Sequence, residues 1–220
     1  METRVLPWYS KLAGFWRGFL AGIAVVAAGF LVVKSLESLM PRQVLGHLRY
    51  QAADPHSLQA VEDMGRVFLR EAAAKMFITM QAKAKKEGVY LVPMSGFRDY
   101  QRQHDLFFHG ARLKNQTKEK RSLVCAPPGY SEHHTGYSLD IGDGSFVREE
   151  MAIDTTFKKT ASYKWLVKNA GRYHFEMSFP ENRKERRISY EPWHWRFVGD
   201  LHSFKTFFYD RVIPKWVSAK

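Results

Sequence analysis

Two short segments carry residue types and spacings that suit a metal-ion ligand set: His133 and Asp140 in SEHHTGYSLD, and His194 in YEPWHWR. Two imidazoles and one carboxylate leave a fourth position open for water, which distinguishes catalytic zinc sites from closed structural ones. With two neutral ligands and one anionic ligand the ion keeps a net positive charge, which draws the pKa of a water on it down towards about 7. Hydrolysis then needs a carboxylate that takes the water proton and returns it to the leaving amine. Glu191, three residues before His194, is the candidate. Mixed His and carboxylate sets also hold other divalent metals, so the ligand types give a metal class first and zinc second.

On a regular strand, residues at i and i+3 point to opposite faces, so Glu191 and His194 could not both face one ion. Pro192 interrupts regular pairing and puts Glu191 on a bend leading into a strand with His194 and Arg196. The helical H-E-x-x-H arrangement is absent. Arg98, in SGFRD, falls at a strand-to-helix junction, where side chains are held at a cleft edge. Taken singly, each residue has a plainer reading: a hydrogen-bonded His, an Asp in a turn, a Glu paired with Arg. The combination favours a zinc hydrolase.

The elements that must position these residues follow from pattern. Val61, Met64, Phe68, Ala72, Met76 and Met80 share one helical face, ended by Gly88. Val89 to Val92 reads as a buried strand, after which Asp99 caps a helix through Leu106 and Phe107. Pro127-Pro128-Gly129 forces a turn before Ser131. Tyr137 to Ile141, Phe175 to Phe179 and Trp193 to Val198 read as strands, and Phe157 to Ala170 as a helix closed by Gly171. The class is α+β, a small antiparallel sheet flanked by helices around the metal site.

At 220 residues the chain has room for one ordinary domain and a short extra segment. Its 45% hydrophobic content excludes wholesale disorder. The net charge of +12 attracts polyanions, but Lys114 to Arg121 and Arg183 to Arg187 read as solvated loops flanking the cleft, and no nucleic-acid partner is expected. The single cysteine, Cys125, excludes an intrachain disulfide and a Cys-rich zinc module, and is read as structural.

From Leu12 to Val33 the sequence is apolar apart from Arg17. As a helix it would extend roughly 33 Å at about 1.5 Å per residue, enough for a bilayer core of about 30 Å. Arg4, Lys11 and Arg17 mark its cytoplasmic end, although Lys34, Arg42 and Arg49 weaken the contrast. A cleaved signal peptide is the rival reading, and both export the rest of the chain. The expected organisation is a cytoplasmic tail at 1–11, a transmembrane anchor at 12–33, a connector at 34–54 and the zinc hydrolase domain at 55–220, outside the cytoplasm.

SGFRDYQRQ, SEHHTGYSLD and EPWHWRFVG, in that order, resemble the signature segments of VanY-like zinc D-alanyl-D-alanine carboxypeptidases, over roughly Gly46 to Gly199. The resemblance implies Zn²⁺ on His133, Asp140 and His194, with Glu191 as general base. It implies that Arg98 and Gln103 line the substrate cleft and that Ser131, beside the first ligand, helps hold the substrate. Arg98 would also polarise the scissile carbonyl and stabilise its oxyanion. Ser138 departs from the family pattern, which commonly has Ala there. The activity implied is removal of the C-terminal D-alanine from peptidoglycan stem peptides. The alternatives are an L,D-carboxypeptidase acting on tetrapeptide stems and a non-catalytic wall-binding module, the latter disfavoured by Glu191. The oligomeric state is not legible.

Overall fold

Leu45 and Gly46, at φ of 50° and 89°, make a two-residue reversal between β1 (Gln43–Val44) and β2 (His47–Leu48). In the computed structural model the described residues are 42–61, 67–145, 153–181 and 187–212, with residues 19, 20, 22 and 23 near the N-terminus. The chain divides into Met1–Arg42 and Gln43–Lys220. In the first unit residues 19, 20, 22 and 23 are helical and exposed, and Arg42 is an exposed bend. No helix among the described residues is long and apolar enough to cross a membrane, and the rest of the expected span 12–33 lies outside them.

The folded unit starts earlier than expected, because residues 43–54 are not a connector. His47 and Leu48 are buried, Tyr50 joins the core, and Tyr50 and Ala53 donate their backbone N–H groups to Gly129 and His134 carbonyls. The lack of a clear periodicity here hid a segment fastened through its backbone. A second correction concerns the first long helix. Leu58–Ala60 (β3) and Phe68–Arg70 (β4) pair antiparallel, and α1 begins only at Glu71, running to Lys86. Its buried residues are Ala73, Ala74, Phe77, Met80 and Ala84, whereas Phe68 is exposed. Apolar residues of a strand and of a helix had fallen by chance on one 3.6-residue period; Met64 lies outside the described residues.

After α1 the chain forms β5 (Leu91–Ser95), then α2 (Tyr100–His104), capped by Asp99, whose carboxylate accepts from Arg102 N at 2.6 Å. A π-helical stretch at Asp105–His109 leads to α3 (Gly110–Leu113), followed by α4 (Lys118–Ser122). Then come β6 (Ser138–Asp143), α5 (Ala161–Asn169), β7 (Phe175–Met177), β8 (His194–Phe197) and α6 (Leu201–Val212). Strands β5, β6, β8 and β7 form one antiparallel sheet in that order, as the α+β reading expects.

Period-two alternation splits the middle of this sheet into two chemically different faces. Leu139, Ile141, Trp195, Phe197 and Phe175 belong to the hydrophobic core, where Phe175 meets Phe77 of α1 edge to face. The alternate residues Ser138, Asp140, His194, Arg196 and Glu176 share the opposite face, with Asp140 directly across from His194 and Ser138 from Arg196. Polar groups thereby gather on one side of a sheet whose other side is fixed by packing.

Candidate metal centre

Each candidate ligand is delivered by a rigid local device. His133 sits in a 3₁₀ turn, Glu132–Thr135, capped by Ser131, whose hydroxyl accepts from His133 N at 3.3 Å. Gly136 ends the turn at φ 71°, and a Cβ there would lie 2.9 Å from Leu58 Cδ2, so this position suits glycine on both counts. Asp140 is central in β6 and His194 opens β8 opposite it. The turn at Pro192–Trp193, with His194 N donating to Glu191 O at 3.1 Å, is the bend that Pro192 predicted.

The three side chains converge, with one potential ligand atom from each within 4.8 Å of the others. His133 Nε2 lies 3.3 Å from Asp140 Oδ2, and His194 Nδ1 lies 2.9 Å from Asp140 Oδ1. The far nitrogen of each imidazole is engaged: His133 Nδ1 faces Gly96 O at 2.7 Å and His194 Nε2 faces Glu132 Oε2 at 3.0 Å. Those acceptors call for N–H on the far nitrogens, which leaves Nε2 of neutral His133 with its lone pair, while Nδ1 of His194 faces Asp140 through a proton that a metal ion would replace. Burial pushes the Asp140 carboxyl upward, but His133 and His194 outweigh it and hold the group well below the usual carboxylate range. Burial and the neighbouring Arg98 lower His133 to about 4. Burial also disfavours a charged His194, yet Asp140 and Glu132 raise it to about 10. A proton shared among these groups and a divalent cation are thus alternative ways of neutralising one buried anionic cluster. Two oriented imidazoles and an ionised carboxylate, with a carboxylate behind one imidazole, fit a divalent-metal site.

A cavity of about 160 Å³ opens beside the ligands, lined in part by Arg98, Ser131 and Glu191. Burial raises the Glu191 carboxyl to about 8, and the negative charge of Asp140 adds to the effect. Arg98 Nη2 lies 3.8 Å from Asp140 Oδ2, and Nη1 donates to Gln103 Oε1 at 3.1 Å. Gln103, expected to contact substrate, is fully buried, and its amide nitrogen donates to Ala126 O at 2.6 Å. Gln103 borders the cavity beside the ligands, and its two hydrogen bonds hold Arg98 against the 125–126 loop. Ser131 lines the cavity and caps the His133 turn. Cys125 is also in the wall, where burial raises its thiol pKa and disfavours the thiolate, consistent with a structural residue. His134 is occupied, with Nδ1 facing Arg98 O at 2.7 Å and Nε2 accepting from Gly129 N at 3.0 Å.

Sequence reasoning missed Glu132, which is buried between the His133 turn and His194. It also read Ser138 only as a departure from the family pattern, whereas its hydroxyl donates to Glu132 Oε2 at 3.3 Å. The available signal was the i, i+2 spacing of His194 and Arg196, which puts a cation on the ligand face and calls for a buried anion.

Gly96 gives a test of this positioning. A Cβ there would collide with the Phe68 carbonyl and approach Val67 Cγ1 to 2.9 Å, displacing the carbonyl that orients His133. Gly96→Ala is expected to cost about 1–3 kcal/mol, read by thermal melting of the metal-free chain. A melting temperature equal to the parent's would contradict the close approach.

A family profile described as VanY, D-alanyl-D-alanine carboxypeptidase, matches residues 66–200. The YodJ protein of Bacillus subtilis (strain 168) is 38% identical over 139 residues, covering 63% of this chain and 49% of YodJ, so the chain spans about half of that relative's length. Among solved structures, the LdcB LD-carboxypeptidase is 35% identical with a TM-score of 0.54, over 66% of this chain and 64% of that one. A mutant of the vancomycin-resistance D,D-pentapeptidase VanY in complex with Zn(II) is 25% identical with a TM-score of 0.53, over 72% and 85%.

Proposed function

The chain belongs to the VanY family of D-alanyl-D-alanine carboxypeptidases, and from that membership we propose that it is a zinc metallopeptidase that removes the C-terminal D-alanine from peptidoglycan stem peptides. The observation that carries the reading is the convergence of His133, Asp140 and His194 at the wall of a cavity that also holds Glu191 and Arg98. The same three residues would hold the ion, and zinc suits them as it does the VanY relative determined with Zn(II). When bound, such an ion supplies Lewis acidity and makes water a stronger acid.

The remaining chemistry belongs to side chains. Glu191 lines the cavity beside the ligands, where burial of its carboxyl raises it to about 8 in the metal-free chain, and it is the group that takes a proton and returns it to the leaving amine. Arg98 is partly buried and keeps donor capacity in reserve, since its buried Nε has no hydrogen-bond partner among the described residues. With Nη1 fixed by Gln103, its guanidinium is the candidate for the developing oxyanion. Arg98→Lys keeps the charge and loses the planar fork. The expected result is a fall of about 100-fold in kcat/KM with metal content unchanged, and undiminished turnover would remove Arg98 from the reaction.

The substrate is tested by a muropeptide digest read by mass spectrometry. Loss of the terminal D-alanine from pentapeptide stems is the expected outcome. Consumption of tetrapeptides alone would replace it with the L,D reading, which the 35% identity to LdcB favours. Metal-replete protein that released no D-alanine from either would sink the activity. We further propose export and anchoring through residues 12–33, supported by the apolar run there with Arg4, Lys11 and Arg17 at one end. Protease added outside intact cells should cleave the domain, and full protection would contradict export.

A further inference from the structure

His194 is held from behind as firmly as from the cavity side. Glu132 Oε2 accepts from His194 Nε2 at 3.0 Å, from Ser178 Oγ at 2.6 Å and from Ser138 Oγ at 3.3 Å. Its Oε1 accepts from Arg196 Nη1 at 2.7 Å. Glu132 thus has both oxygens committed as acceptors, one to three donors and the other to a guanidinium, which is what fixes the ring orientation of a ligating histidine.

Arg196 is itself held on two further sides. Its Nε and Nη2 donate to Glu176 Oε1 at 3.0 and 2.8 Å, and Nη1 donates to Asp210 Oδ2 at 2.5 Å. Its guanidinium carbon stands 4.7 Å from the centre of the Phe207 ring. Asp210 and Phe207 both belong to α6, which begins at Leu201, just past the segment matched by the family profile. Nη1 has two hydrogens, one for Glu132 and one for Asp210. With Asp210 in place the guanidinium is pinned between two buried carboxylates. Without it, the group is free to tilt towards the partly exposed Glu176 and release Glu132.

We propose that α6 is a positioning element of the metal centre, acting through Asp210 and Arg196 on Glu132, and through Glu132 on His194. The inference rests on the metal site proposed above. Nothing on α6 touches the ion in this scheme; its effect is to keep the Nδ1 side of the His194 ring turned towards Asp140 and the cavity.

The test is a zinc titration of the metal-free full-length chain against a competing chelator, with thermal melting of each variant measured in parallel. Glu132→Gln places an amide where four donors need an acceptor anion, and is expected to weaken zinc binding about 10- to 100-fold. Asp210→Asn, one link further back, should weaken it about fivefold, at the lower edge of such effects. Phe77→Leu, on the opposite face of the sheet, serves as the control and should melt lower while binding zinc as tightly as the parent. Asp210→Glu should recover part of the loss. Asp210→Asn binding as tightly as wild type, or no more weakly than Phe77→Leu, would overturn the proposal. If Asp210→Asn does not fold, Phe207→Leu takes its place, with a loss of about threefold expected and no loss overturning the idea. A parent chain that binds no zinc would instead defeat the metal site itself, so the two failures are distinguishable.

Discussion

His194→Ala is expected to remove metal binding and turnover together. The imidazole is 3% exposed and separates two buried carboxylates, Asp140 and Glu132, each within hydrogen-bond distance of one ring nitrogen. Without it the site has two ligands instead of three, and the two anions face each other with no cation between them. Like charges so placed cannot both stay ionised, so one takes up a proton and ceases to be a useful metal donor or support. Zinc affinity should fall by at least about 100-fold, more than for a residue that only supports a ligand. Breaking the buried charge pairs also costs the metal-free protein about 3–5 kcal/mol, so binding is measured well below the variant's melting temperature. One equivalent of zinc bound as tightly as by the parent would remove His194 from the ligand set.

Glu191→Gln should separate what His194→Ala joins. The amide is close in shape but cannot take up a proton, so kcat is expected to drop by about 10² to 10⁴ while zinc still binds. The same substitution has a signature in the metal-free chain that does not depend on turnover. The folded-state value of Glu191 is raised from 4.5 to about 8, chiefly by burial, so ionising it weakens the fold. That penalty is absent below about pH 4.5, grows as pH rises, and levels off above about pH 8. The variant, always neutral at this position, should therefore melt above the wild type by a margin that opens between those limits. Retained turnover would remove Glu191 from the proton transfers, and a constant melting difference across that pH range would show that its carboxyl is not buried as described.

The sequence disclosed the ligands more readily than their supports, for a physical reason. His133, Asp140 and His194 are chemically rare residues flanked by turn-forming neighbours, and Pro192 announced the bend that brings Glu191 towards them. Period-two alternation likewise located the site strands to within a residue or two. Glu132 was not legible because it adjoins His133 in sequence but serves His194 in space, and only the 3₁₀ turn makes that contact. Gln103 looked like a free polar group since no local pattern reveals that Ala126 and Arg98 occupy it. The start of α1 was misplaced because Val61 and Phe68, on a helical spacing, belong to a hairpin whose pairing partners are set by tertiary contacts. Residues 43–53 read as a connector because backbone hydrogen bonds to Gly129 and His134, not side-chain pattern, draw them into the fold.

The central claim, that these residues form a metal-dependent carboxypeptidase site, is tested most directly by stripping the full-length chain with chelator and restoring zinc in steps. D-alanine released from a pentapeptide stem is followed at each step. Release should be absent from the stripped protein, rise in proportion to zinc bound and stop rising at one ion per chain. Release that persists undiminished in metal-free protein, or that stays at zero with one zinc bound, would contradict it.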